Sequence, residues 1–107
     1  MEIYYNKLIR DNIPEIIRAN GQIPVVRTLD DDEYLEALTC KLQEEVAEYL
    51  NDNSIDELCD ILEVVYAIAK AKGYPDSEIS ACRNSKNAKN GAFEKKLFLE
   101  SVTSEDI

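Results

Sequence analysis

The chain contains no histidine. That absence removes the Ser-His-Asp and Cys-His arrangements, the H-E-x-x-H zinc sites and histidine as a proton carrier. Chemistry is left to carboxylates, lysines, arginines, tyrosines, cysteines or a metal ion, and among metal sites it favours the all-oxygen, magnesium type. Cysteine is scarce and odd in number: Cys40, Cys59 and Cys82, with no C-x-x-C spacing. Reduced thiols packed at helix faces are expected, not a disulfide or a zinc site. No apolar run reaches membrane-spanning length, and the opening MEIYYNKLIRD carries charge where a signal peptide needs apolar residues, so a cytoplasmic protein without membrane contact is expected. Positive charge is also in deficit: 12 basic residues stand against 22 acidic ones, a net charge of −10. This argues against a general nucleic-acid binder or a polybasic anchor. It leaves room for a phosphate-bearing small molecule, because a metal and local basic residues reverse the sign at a site. There is no internal repeat and no low-complexity linker, and 107 residues amount to one domain with a modest core.

What is present is mostly helical pattern. Residues 1–11 alternate weakly and suit a short extended piece. Pro14 suits the first turn of a helix over about 14–19, capped by Asp11 or Asn12 and stopped at Asn20-Gly21. Residues 22–29, β-branched and containing Pro24, read as an extended connector. Acids at 30–32 open a second helix running to about Leu50, and a break at 51–54 precedes a third helix from near Ser54 to about Lys72. A fourth follows Pro75, capped by Asp76 or Ser77, to about Lys89. Asn90-Gly91 marks a turn, after which Phe93, Leu97, Phe98 and Leu99 suggest a short helix or extended segment packed against the N-terminus. The last residues, 103–107, are expected to fray.

The stretch KLQEEVAEYLNDNSIDELCD, Lys41 to Asp60, carries the chemistry. Each helical residue advances about 100°, so residues three apart lie about 60° apart around the axis. Glu45 and Glu48 therefore share one side of the second helix, and Glu57 and Asp60 one side of the third. If the break is a turn, the helices run antiparallel and the two pairs face each other. Four converging carboxylates repel unless a cation sits between them, and a hard divalent cation takes oxygen ligands. The plainer alternative is a solvated acidic face, with Ser54 and Glu57 forming an S-x-x-E capping box. Against it, Glu45 borders the apolar stripe of Leu35, Leu38, Leu42, Val46 and Tyr49, and Glu57 projects between Ile61 and Val64. Carboxylates at a core edge are costly unless paired or metal-bound.

Two further features bear on assembly and substrate. The third helix reads ILEVVYAIA from Ile61 to Ala69, apolar on nearly every side. It is expected either at a subunit interface of a homo-oligomer or as the central core helix under long neighbours. Five basic residues, Arg83, Lys86, Lys89, Lys95 and Lys96, fall within 83–96, a region whose single acid is Glu94. They form either a solvated basic helix end or, opposite the acid pairs, the positive side of a polyphosphate site. Lys41 joins Lys86, Lys89, Lys95 and Lys96 as a candidate substrate-binding residue. Lys7 and Arg10, beside Asp11, suit a phosphate contact or a structural ion pair.

The order of these motifs resembles the MazG-type, all-α nucleoside triphosphate pyrophosphohydrolases, related to phosphoribosyl-ATP pyrophosphohydrolase. The family pattern E-E-x-x-E, spacer, E-x-x-D is matched by Glu44-Glu45-Val46-Ala47-Glu48 and Glu57-Leu58-Cys59-Asp60, with a short spacer like that of the compact members. The opening YNKLIRDNIPEII and the closing NGAFEKKLFLE resemble the ends of one small-protein branch, with Ala92 where that branch has a second glycine. The resemblance implies an all-α antiparallel bundle completed by oligomerisation as a homodimer or homotetramer, with short extended segments at the termini. It implies hydrolysis of a nucleoside triphosphate between the α- and β-phosphates, giving the monophosphate and pyrophosphate, with the clearing of unwanted nucleotides as one use of that reaction. Glu45, Glu48, Glu57 and Asp60 would hold Mg2+, with Mn2+ as substitute. Glu44 and Glu45 would be the catalytic pair, Glu44 either accepting a proton from the attacking water or belonging to an outer shell. Two other readings compete: a helical interaction module with an acidic partner-binding face, and a phosphoribosyl-ATP pyrophosphohydrolase.

Overall fold

A computed structural model describes residues 1–104; of the residues expected to fray, 105–107 lie outside this description. The described residues form four helices and no strand: α1 Ile13–Ala19, α2 Asp31–Asp52, α3 Ile55–Ala71 and α4 Asp76–Asn90. The expected helices are all present, with boundaries moved by at most two residues. At the N-terminus of α2 the Asp30 side chain accepts from the Glu33 backbone N–H at 2.8 Å. Glu33 in turn pairs with Arg27 of the connector at 3.0 Å. The side-chain caps expected elsewhere do not form. Asn12 and Ser54 make no capping bond, and the residue before α4 is Pro75 rather than Asp76 or Ser77.

The expected break of four residues is shorter here, because α2 continues through Asp52. Asn53 then adopts a left-handed conformation (φ 54°, ψ 27°), its N–H bonded to the Tyr49 carbonyl at 2.7 Å, and Ser54 returns to extended backbone. Asparagine is among the few non-glycine residues that enter this conformation cheaply. The result is an α2–α3 hairpin. The base of α4 packs on α3, and α1 stands off from the other helices.

The hydrophobic core is thin. Leu38, Val64 and Ala69 are its buried members, all from the hairpin. The chain exposes 9955 Å², whereas a compact monomer of this mass exposes about 6,000 Å². The longest dimension is 73 Å and the radius of gyration 19.6 Å, against about 13 Å for a compact domain of this length. Phe93, Leu97, Phe98 and Leu99 do not pack on the N-terminus; they are exposed, as are Ile3, Tyr4 and Tyr5. The three cysteines are free, as expected, but sit exposed instead of packed at helix faces.

Replacing Asp30 by alanine removes the side-chain cap from α2. It is expected to lower stability by about 1 kcal/mol, read as a lower urea midpoint with an unchanged slope.

Candidate metal centre

Counting outward from Asn53, Glu48 of α2 comes level with Glu57 of α3, and one turn further Glu45 comes level with Asp60. The side chains follow that register. Glu45, Glu57 and Asp60 each place a carboxylate oxygen within 4.8 Å of the other two. Glu48 lies outside this trio and is exposed, but its charge bears on both Glu45 and Glu57. Three of the four expected ligands therefore converge, with the fourth beside them.

Burial makes the arrangement costly. Glu45 is 6% exposed, and one oxygen each of Glu45 (Oε2) and Glu57 (Oε2) is enclosed without a hydrogen-bond partner. Because Ser54 makes no capping bond, Glu57 is not held in the capping box that would explain it as a helix-end residue. Loss of hydration pushes the Glu57 carboxyl from 4.5 up to about 7; the Glu48 charge and hydrogen bond add to this, followed by the charges of Asp60 and Asp52. Loss of hydration also raises Glu45. The Lys41 hydrogen bond opposes that rise, and Glu48 and Asp60 add to it.

Cations reach the cluster from two directions. Lys41, mostly covered, sits 3.3 Å from Glu45 Oε1 and 3.5 Å from Glu44 Oε1. From the N-terminal segment, Arg10 meets Asp60 at 2.6 Å and Lys7 meets Glu44 at 3.4 Å. The alternatives left open for Lys7 and Arg10 thus resolve, in this structure, to ion pairs with the acidic helices. Five carboxylates (Glu44, Glu45, Glu48, Glu57, Asp60) face three cations (Lys7, Arg10, Lys41), so at least two negative charges stay uncompensated when all are ionised. One divalent cation would cancel that excess. All the donors are carboxylate oxygens, the set a hard cation takes. The enclosed, unpartnered Glu45 and Glu57 oxygens supply free lone pairs for it.

The basic segment is placed differently. Lys86 and Lys89 lie on the exposed outer part of α4, and Lys95 and Lys96 line a shallow recess formed by residues 90–97. Among the described residues none of these four pairs with an acid, and within one chain they are not brought to the carboxylate trio. Of the expected substrate-binding lysines, one chain brings Lys41 to the trio and leaves the other four apart from it. The usable signal was the K-x-x-R spacing of Lys7 and Arg10 ahead of Pro14. A cleft of about 860 Å³ opens beside the trio, between the N-terminal segment with the start of α1 on one side and the hairpin on the other. Arg10, Lys41, Glu45 and Asp60 stand at one end; Tyr34 and Tyr66 line it further along.

Raised carboxyl pKa values fix the sign of a pH effect. Between pH 4.5 and about 7 the folded Glu57 keeps a proton that the unfolded chain has released. Folding stability therefore falls as pH rises through this window and levels off above it. In metal-free protein, the melting temperature of wild type is expected to drop from pH 5 to pH 7 relative to that of Glu57→Gln. Parallel pH profiles of the two proteins would contradict the assignment.

No family model matches the chain, and no solved structure matches it. A curated relative, an uncharacterized protein of Mycolicibacterium smegmatis, is 67% identical over 42 residues, a stretch covering 39% of this chain and 43% of the relative. The matched stretch thus spans less than half of either protein.

Proposed function

We propose that the protein is a magnesium-dependent nucleoside triphosphate pyrophosphohydrolase of the MazG type. The observation that carries this reading is the meeting of Glu45, Glu57 and Asp60 across the hairpin, with an enclosed, unpartnered oxygen on Glu45 and on Glu57. An acidic face meant only for solvent would not spend burial on charges it leaves unmatched.

Glu45, Glu57 and Asp60 would hold the ion, with Glu48 joining by a rotamer change from its exposed position. The bound cation would neutralise charge on the phosphate oxygens and make a coordinated water more acidic. The chain's own residues would do the rest. Glu44 lies between Lys7 and Lys41 at the edge of the trio, where it would accept the proton of the attacking water. Glu45 would orient that water through its remaining oxygen. Hydrolysis adds water across the bridge between the α- and β-phosphates: one phosphorus gains the hydroxyl, the bridging oxygen leaves with the bonding electron pair, and Glu44 carries the proton.

The assembly proposed for this function is a homodimer or homotetramer. Val46 and Leu50 on α2 and Ile55, Leu58 and Leu62 on α3 are exposed along the same hairpin. Leu58 and Leu62 are four apart, the spacing of one helical stripe. That stripe and the surface in excess of a compact monomer are what a second copy would cover. The chain is expected to run as a dimer or larger by light scattering. Leu58→Glu with Leu62→Glu is expected to give a helical monomer; a wild-type monomer would refute the assembly.

The activity is tested by pyrophosphate release from a panel of nucleoside triphosphates with magnesium and with a chelator. Release is expected only with the metal. Asp60→Asn should lower it on the order of a hundredfold or more while helical circular dichroism is retained. Near-normal turnover by Asp60→Asn would mean that the ligand assignment is wrong.

A further inference from the structure

The cleft beside the carboxylates has two chemically distinct ends. At the first, Arg10 and Lys41 flank Asp60 and Glu45. These cations do more than a surface pair needs to do, since each pairs with a carboxylate of the trio that a metal would also claim. A divalent ion taking Asp60 and Glu45 would free the guanidinium from Asp60 and leave the ammonium with Glu44 as its one remaining acid, both still anchored beside the ion. They would then face the next available anion, and phosphate suits both, the guanidinium in particular through a bidentate grip.

Toward the other end the lining includes Tyr66, Ala67 and Tyr34, with the charged Glu63, Lys70 and Asp76 among them. Tyr66 lies six residues beyond Asp60 on α3, roughly 9 Å along the axis at 1.5 Å per residue, with Leu38 of α2 also in the lining and Tyr34 further out. Tyr34 and Tyr66 are half-buried, each with surface left to present to a ligand. A volume of about 860 Å³ falls within the range of small-molecule sites, roughly 300–1,000 Å³. A ring that exposes an apolar face, set a sugar's length from a cation-lined metal centre, is suited to a nucleobase.

We propose that this cleft is the nucleotide site, with Arg10 and Lys41 gripping the phosphates beside the metal and Tyr66 stacking on the base, Tyr34 closing the far end. The N-terminal segment 8–16 is then a wall of the binding site, and its arginine alternates between Asp60 in the metal-free protein and phosphate in the loaded one. The C-terminal lysines are not needed for this contact. The proposal rests on the hydrolase reading for its metal, but the cleft itself is assigned from its own residues.

The test is binding, followed by calorimetry and by tyrosine fluorescence, which no tryptophan obscures. The probes are Mn2+ alone, inorganic tripolyphosphate with Mn2+, and the α,β-methylene analogues of a purine and a pyrimidine triphosphate with Mn2+. Arg10→Gln is expected to weaken tripolyphosphate and the analogues about tenfold, while Mn2+ alone binds as well as to wild type or more tightly, its competitor gone. Tyr66→Ala is expected to weaken an analogue about tenfold without changing tripolyphosphate, and Tyr66→Phe to restore it. Lys86→Gln with Lys89→Gln should change neither probe. An unchanged tripolyphosphate affinity in Arg10→Gln overturns the proposal, and so does equal loss of both probes in Tyr66→Ala. If Mn2+ binds but neither variant matters, the cleft assignment falls and the metal centre stands. If the probes bind with this residue dependence in the absence of any metal affinity, the cleft stands and the hydrolase reading falls.

Discussion

Mutual repulsion among carboxylates is the constraint around which this structure is arranged. Glu45, Glu57 and Asp60 are held together by a hairpin whose apolar contacts, Leu38 and Val64 among them, lie immediately beside them. The helices cannot close over those contacts without drawing the acids in, and the acids cannot be drawn in without positive charge. Lys41 supplies some from within α2, and Arg10 supplies more from a segment distant in sequence. Their supply falls short of the demand, and this adds to the loss of hydration that keeps a proton on Glu57 to about neutral pH. Under the proposed function a divalent ion would replace that proton, since it offers two charges at one point.

A second constraint acts at the scale of the whole chain. Burial is concentrated in one hairpin, and apolar side chains remain on the outer faces of α2 and α3 and along the terminal segments. Hydrophobic stabilisation scales with area removed from water, so a chain that removes so little has a small margin. Association would supply the missing burial, and it would bear directly on the carboxylates, because Leu58 lies on α3 between Glu57 and Asp60 in sequence while facing outward. Stability, assembly and ion affinity would then share the same short length of α3.

Much of this was legible in the sequence, for identifiable reasons. The helices announced themselves by periodicity and by acids at their starts, and Asp30 capped α2 as a local signal should. The two acid pairs could be assigned to facing sides because helical spacing is rigid. Glu57 was the ambiguous residue, since the same letters spell a capping box, and only the coordinates show that Ser54 leaves the bond unmade. Local signals failed where the outcome depends on distant partners. Ser54, Asn12 and Pro75 illustrate this at helix ends, and Phe93 to Leu99 at the C-terminal segment, whose apolar residues found nothing in the same chain to cover them. The placement of Arg10 on Asp60, fifty positions away, is a tertiary fact that no helical projection contains.

The turn at Asn53 and Ser54 has a consequence for how such a chain can vary. Surface loops ordinarily absorb insertions at little thermodynamic cost. Here the connection is a register pin: one extra residue transmitted into α3 would swing Glu57 and Asp60 by about 100° and shift them along the axis relative to Glu45. Such a protein would keep its helix content and lose the convergence of its carboxylate trio. Length drift is thus forbidden at this junction, although the backbone there lies at the surface.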